Sequence, residues 1–347
     1  MNKALLDNFI KEIEDIEKYI KYIEIVNRSA TNFQEMIPSL YEHLNQNNTQ
    51  IKIFEFKAMI ISLYGILERY IEIWIKEYIN NLPKIFNYYS LIPSEQLKKN
   101  HLDLSAKLIH IINEKKQPKF SKLKASDVIH NLNNCLSDSV SFTLNADAFT
   151  IQSGNLKHGI ISDLLKKISI TQLDEALKQD KEMSLMLKEM FGEDFAGRKS
   201  ETLFKRIDNL VDRRNEIAHG AENIVIDNNE ISEYIKFLKP YGRVVFSAIN
   251  HEELKATVSE KCFKVDENDI KGVFCKNILG IAVTDYLIKL GDTIIIQSNG
   301  VFKTAKITNL QLRNQNIKRI KRARKTNIGI KLDIEISKRN NFFLFKQ

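Results

Sequence analysis

Apolar residues recur every three or four positions through residues 1–255, and close to every second position from 256 onward. The change of period splits the chain into a helical part and a strand-rich part. Leu6, Phe9, Ile13, Ile16, Ile20 and Ile23 alternate steps of three and four, the seam of a helix that packs on its own bundle. A break is expected over 27–32 and a second helix over 33–43. The longest helix is expected over 51–79, with an apolar arc of Ile60, Leu63, Tyr64, Leu67, Ile71, Trp74, Ile75 and Tyr78. Shorter helical patterns follow at 105–112, 125–135, 156–168, 172–177 and 184–191. A last run over 230–254 contains Pro240 and Gly242, which predict a kink or split. Between the helices, 140–144 and 148–151 alternate around Asn145-Ala146-Asp147 and read as a small hairpin inserted in the bundle. Beyond 256, short β-type runs at 280–284, 293–297, 302–307, 328–332 and 342–345 are separated by Gly, Asn and charged turns, the pattern of a small β-barrel. The predicted architecture has two domains: an α-helical bundle with a hairpin insertion (1–255) and a β-barrel (256–347).

Composition adds limits. With 43% hydrophobic and 28% charged residues the chain reads as globular, and its apolar runs fall short of a membrane span. No signal-peptide core follows Met1. Cys135, Cys262 and Cys275 are odd in number and lack CxxC spacing, so neither a disulfide framework nor a zinc site is implied and a reducing cytoplasm is expected. The seven histidines form no metal-ligand pattern, and no cofactor is expected. Charge is uneven. Residues 257–347 hold 18 Lys and Arg against 8 Asp and Glu, a balance of +10, whereas the rest of the chain stands at −2. The C-terminal part is therefore expected to bind a polyanion, nucleic acid before membrane because no amphipathic helix accompanies the charge.

Candidate chemistry starts at Arg214. Leu203, Ile207, Leu210, Arg214 and Ile217 continue one helical seam, and a guanidinium on a core seam is costly unless paired. His219 follows, just before a helix-stopping Gly220. Arg214 with His219 could bind a phosphate and move a proton; the same positions also fit a structural arginine and a capping histidine. Glu68 projects onto the edge of the long helix's apolar arc, and Arg214 is the candidate cation for it, either as a structural ion pair or in catalysis. Ser200 is the expected cap of the helix carrying Arg214.

These residues carry a resemblance. Arg214-Asn215-Glu216-Ile217-Ala218-His219 matches the Arg, polar residue, three variable positions and His of the HEPN superfamily (higher eukaryotes and prokaryotes nucleotide-binding). Within it, residues 1–255 resemble the bacterial stand-alone, RNase-toxin-like branch. Ser153-Gly154-Asn155-Leu156 with 164–168, and Leu63-Tyr64-Gly65-Ile66-Leu67-Glu68, add further matches. The resemblance implies an all-α bundle, a metal-independent endoribonuclease acting as a toxin or antiviral defence effector, and a homodimer with Arg and His at the groove between copies. It also implies an RNA substrate, such as tRNA or another translation-linked RNA, and an antitoxin or defence-system partner protein. His219 would transfer the proton, Arg214 hold the phosphate oxygens, Asn215 orient the phosphate or the His, and Glu68 orient the Arg. The other reading is a non-catalytic bundle of this type that docks a nucleotide, RNA or protein.

A second resemblance covers the C-terminal part. Residues 287–296, with a Gly291-Asp292 turn, and 305–311 and 327–332 resemble strands of the second domain of translational GTPases, a small β-barrel. No GxxxxGK[ST] occurs in the chain, so the barrel is expected to be a binding module without a GTPase. Between two of its strands, residues 313–325 carry seven cations. Lys318, Arg319, Lys321, Arg322, Arg324 and Lys325 are the candidate RNA-backbone contacts, the other reading being a solvated loop. No aromatic is interleaved there, so stacking is not implied.

Overall fold

The structure, a computed structural model, describes residues 1–30, 37–115, 117–152, 154–220 and 228–346. Two compact units emerge from its contacts: Met1–Pro83 with Asn87–Ile249, and Lys84–Phe86 with Asn250–Gln347. The first is a helical bundle of α1 (Ala4–Ala30), α2 (Pro38–Ile85), α3 (Glu95–Glu114), α4 (Ala125–Leu136), α5 (His158–Lys167), α6 (Leu173–Gln179), α7 (Lys181–Phe191), the single turn α8 (Ser200–Leu203), α9 (Lys205–Ala218) and α10 (Asn228–Lys261), whose last turns belong to the second unit.

Packing follows the apolar stripes. All eight predicted arc residues of α2 are buried, and Trp74 at its centre is fully enclosed. Phe9 of α1 meets the Trp74 ring edge-on at 5.2 Å, and Phe246 of α10 meets its other side at 5.5 Å. The heptad seam of α1 thus packs inside the bundle, held by aromatic contacts that add to plain area burial.

Several local expectations change. One helix, α2, runs through 43–51 where a gap was expected; residues 33–36 of the expected second helix lie outside the described residues, as does Ser153. The helix α10 continues through Pro240, because Phe237, Leu238, Tyr241 and Val245 are buried around it and their packing outweighs a local cost of about 3 kcal/mol. Ser200 opens α8, whereas α9 begins after Phe204 without a side-chain cap.

The expected hairpin is absent. Residues 139–152 hold a 3-10 turn, Ala146–Thr150, in irregular chain. Phe142, Leu144, Ala148, Phe149 and Ile151 are all buried, so their alternation did not mark one solvent face. Asn145, read as a turn residue, is a buried hub: its backbone N–H donates to His101 Nε2 (3.0 Å) and its amide donates to Ser105 (2.9 Å) and the Val128 carbonyl (3.1 Å). Hydrogen bonding to helices α3 and α4 replaces a strand partner.

In the second unit the strands are β1 (Cys262–Lys264), β2 (Ile270–Phe274), β3 (Ile278–Val283), β4 (Ile288–Lys289), β5 (Thr293–Ser298), β6 (Val301–Leu312), β7 (Gln315–Ile317), β8 (Arg319–Ile320), β9 (Thr326–Leu332) and β10 (Asn341–Phe345). The main sheet runs β1-β10-β5-β6-β9-β3-β2, antiparallel throughout, with β7 beside β6; β4 and β8 pair separately. Long β6 turns the corner: it pairs β5 along its first half and β9 along its second, with a register shift between Ile307 and Asn309. The sheet curls around a core that includes Leu279, Ile281, Ile307, Leu310, Ile330 and Phe342. It stops as an open half-barrel rather than the closed barrel expected. Its end strands β1 and β2 are short, and β2 is bulged, so neither offers the other a ladder. The last turns of α10 cover the outside of one half, where Leu254 and Val258 pack on Ile295 and Phe343.

Candidate functional site

Helix α9 carries the Arg-Asn-x3-His segment. Leu203, Ile207, Leu210 and Val211 are buried, after which the seam rises out of the bundle: Arg214 and Ile217 are partly exposed and His219 is exposed. Arg214 therefore lies at the rim of the core, not within it as the seam had suggested, and part of its hydration is retained.

The two neighbouring arginines are bound differently. Arg213 is engaged by carboxylates, donating through Nε to Glu230 (3.2 Å) and through a terminal nitrogen to Glu216 (3.3 Å). Arg214 has no carboxylate within ion-pair distance among the described residues. Its guanidinium carbon lies 5.0 Å from the centroid of the Tyr64 ring, and one terminal nitrogen donates to its neighbour Asn215 Oδ1 (3.2 Å). A cation–π contact orients a guanidinium without neutralising it. Among the described residues Arg214 is thus held in place without a carboxylate partner.

Glu68 does not pair with Arg214 directly, contrary to expectation. Its Oε1 accepts from the Tyr64 hydroxyl (3.0 Å) and from Gln152 Nε2 (3.0 Å). The Tyr64 hydroxyl in turn accepts the Leu156 backbone N–H (3.3 Å). Tyr64 therefore stands between acid and cation, its hydroxyl on Glu68 and its ring under Arg214. Burial first, then the Glu68 charge, pushes the phenol up to about 12, so it remains a donor at neutral pH; Arg214 and the Leu156 N–H pull the other way.

His219 caps α9. Its N–H donates to the Asn215 carbonyl (2.9 Å), and Gly220, at φ +78°, supplies the left-handed residue that ends the helix. The imidazole touches neither Arg214 nor Glu68 among the described contacts. Positions five apart on an ideal helix point about 140° from one another. The fold thus brings Arg214, Asn215, Tyr64, Glu68 and Gln152 into one chain of contacts and leaves His219 beside it.

A surface groove of about 590 Å³ opens next to Glu68, lined among others by Gly65, Arg69, Glu72, Lys119 and Gln152. Its cations are already engaged, Lys119 by Glu72 (2.7 Å) and Arg69 by Glu12. Sequence reasoning missed Tyr64 and Gln152 as site residues. Tyr64 was visible as one turn before Glu68 on the same helix face, the i, i+4 relation of interacting pairs. Gln152 had no signal beyond lying next to the Ser153-Gly154-Asn155-Leu156 match.

In the half-barrel, Lys318, Arg319, Lys321, Arg322, Arg324 and Lys325 are all exposed. Lys321 lies 3.6 Å from Asp285 and Lys325 pairs with Asp269, whereas the other four have no ion pair among the described residues. Arg319, Lys321 and Arg322 line a cleft of about 350 Å³ with Leu287, Leu312 and Ile317. Among the described residues no group of three or more His, Cys, Asp or Glu could hold a metal ion, and no helix is long and apolar enough to cross a membrane.

The model of the family described as RiboL-PSP-HEPN matches residues 7–251, more than half of the chain, which therefore belongs to that family within the HEPN superfamily. No curated protein matches the chain.

Proposed function

We propose that this RiboL-PSP-HEPN chain is a metal-independent endoribonuclease, a toxin or antiviral defence effector acting on cellular RNA, with tRNA or another translation-linked RNA as substrate. Family membership supports action on RNA in general terms. The observation that carries the reading is Arg214: an oriented guanidinium, propped on Tyr64, without a carboxylate partner among the described residues and partly open to solvent, next to Asn215 and little more than one helix turn from His219.

In this mechanism Arg214 binds the non-bridging oxygens of one phosphodiester and the charge that builds on them, with a planar fork that Lys lacks. A ribose 2′-oxygen attacks the adjacent phosphorus, and the bond to the 5′-oxygen breaks. The 2′-hydroxyl proton goes to an imidazole, the leaving 5′-oxygen receives a proton, and a 2′,3′-cyclic phosphate remains. His219 is the proton-transfer group in this reading, an imidazole that can both accept and donate. Asn215 orients Arg214, and Glu68 acts on it through Tyr64.

Within one protomer His219 stands apart from Arg214, so the working site is read as shared by two copies related by a two-fold axis. The half-barrel is the recruiting module, in the manner of the translational-GTPase second domain its strands resemble. A second reading, a non-catalytic RNA- or partner-binding HEPN protein, is favoured by that same separation of His219 from the Arg214 cluster.

RNA incubated with the purified chain in EDTA, followed by 3′-end mapping, separates the two. Cleavage leaving cyclic-phosphate ends, abolished in Arg214→Ala and His219→Ala proteins that still fold, is expected. Cutting that needs Mg²⁺, or survives in either variant, would overturn the mechanism.

A further inference from the structure

Phe274, at the end of β2, is 53% exposed on the outer face of the half-barrel, the face away from the core. Its ring lies against two glycines. A Cβ at Gly272 or at its cross-strand partner Gly280 would come within 3.1 Å of a ring atom. Gly272 also holds φ +145°, which side chains rarely adopt. The tip of the phenyl ring therefore lies close over the backbone of these two glycines, while about half of the side chain is open to solvent. Phe263, also exposed, instead meets Tyr286 edge-on at 5.4 Å.

Beyond Ile278, the cross-strand partner of Phe274, the same face turns cationic and polar. The register pairs Phe274 with Ile278 and Ile278 with Lys331, putting the backbone of an exposed lysine two strands, about 10 Å, from that of Phe274. Nearby on the same strand, Gly329 is flanked by Gln311, whose amide and that of Asn309 both donate to Asn316 Oδ1 (3.1 and 3.0 Å). Among the described residues the Gln311 side-chain oxygen and the Asn316 amide hydrogens have no further hydrogen-bond partner. At the other end of β2, Lys325 of the basic loop is tied to Asp269, the residue just before the strand. From the start of β2 to Phe274 is about 13 Å of extended chain, the span of roughly two nucleotides.

We propose that the outer face of β2, β3 and β9 is a platform for single-stranded RNA, on which one base stacks on Phe274 while the backbone runs toward the basic loop. The proposal rests on the reading of the half-barrel as an RNA-binding module. It adds the aromatic contact that the basic run itself lacks. The +10 balance of residues 257–347 selects a polyanion as the occupant, and an unstacked base is the polyanion component that a flat exposed ring recognises. Duplex RNA, whose bases are stacked on each other, does not offer that face.

The test uses the full chain and a fluorescein-labelled 2′-O-methyl oligoadenylate, which has no nucleophile and cannot be cut. Phe274→Ala is expected to weaken binding roughly 5- to 100-fold while leaving the slope of log affinity against log salt unchanged, because stacking releases no counterions. Phe274→Trp is expected to bind like wild type, with its indole fluorescence quenched by the oligonucleotide; the native Trp74 is buried and stays silent. Affinity within twofold of wild type in Phe274→Ala, with or without a lowered Tm, means the ring only covers the glycines, and the platform is wrong. An unquenched indole in Phe274→Trp equally excludes a stacked base. Loss of salt dependence on neutralising the basic loop, with Phe274 variants unaffected, would leave the loop reading standing and remove the platform. A chain that binds no oligonucleotide overturns both.

Discussion

The Arg214 guanidinium lies 5.0 Å from the centroid of the Tyr64 ring. Because the hydroxyl of the same tyrosine holds Glu68, acid and cation communicate through a neutral aromatic and never form an ion pair. The arrangement orients Arg214 without a direct carboxylate contact among the described residues, the condition the proposed phosphate-binding role requires.

Replacing Arg214 with Lys keeps the charge but loses the planar fork and the stack. RNA cleavage is expected to fall about 100-fold or more, with little change in Tm because the side chain sits at the rim of the core. Turnover with saturating RNA and a melting curve check this together.

Tyr64→Phe keeps the ring under Arg214 and removes the hydroxyl. The Leu156 N–H then loses its acceptor and Glu68 keeps only Gln152. Stability is expected to drop by about 1–3 kcal/mol and cleavage to fall less than in Tyr64→Leu, which removes the ring as well. Urea titration and cleavage rates on both variants separate the two contributions.

Gly65 lines the groove beside Glu68, and a Cβ there would meet no atom within 4 Å. Gly65→Leu is expected to fill the groove without strain and to raise helix stability slightly, since glycine is about 1 kcal/mol worse than alanine in a helix interior. If RNA passes through the groove, KM rises while Tm holds or increases; unchanged KM would place the RNA path elsewhere.

Acid should weaken the helical unit. His101 is fully buried and accepts the Asn145 N–H on Nε2, and burial brings its imidazole down to about 4. Folded His101 stays neutral while the unfolded residue takes up a proton below its ordinary 6.5. Its contribution is therefore complete above about pH 6.5 and is lost as pH falls toward 4. Asp174, brought down to about 2 mainly by its hydrogen bond with His158, adds a further loss below its ordinary value of 3.8. Melting curves from about pH 7.5 to 4 are expected to show falling Tm, with a shallower fall in His101→Gln, where the amide can still accept from Asn145.

Neutralising Lys318, Arg319, Lys321 and Arg322 to Gln is expected to flatten the salt slope of RNA binding by up to roughly three units, at about 0.7 per phosphate on single strands. Lys321 already faces Asp285 and contributes least. An unchanged slope, read from binding isotherms across a salt series, would make the run a solvated loop.

Much of this protein is legible along the chain itself. The three- and four-residue spacing of α1 and α2, the change to alternating strands near 256, the charge confined to the last quarter and the Arg-Asn-x3-His segment are all local patterns. They reflect the geometry of a single element and survive whatever packs against it. Relations between distant segments are of another kind. Whether 140–151 forms a hairpin depended on α3 and α4 supplying the hydrogen bonds of Asn145; whether the strands close depended on two short ends; which arginine meets a carboxylate among the described residues depended on Glu230 reaching Arg213 and Tyr64 lying under Arg214. Phe274 carries no sequence signal of its own; its setting comes from Gly272 and Gly280, which lie beneath its ring. Burial and pairing are set by what approaches from elsewhere in the chain, and periodicity within one element does not encode its neighbours.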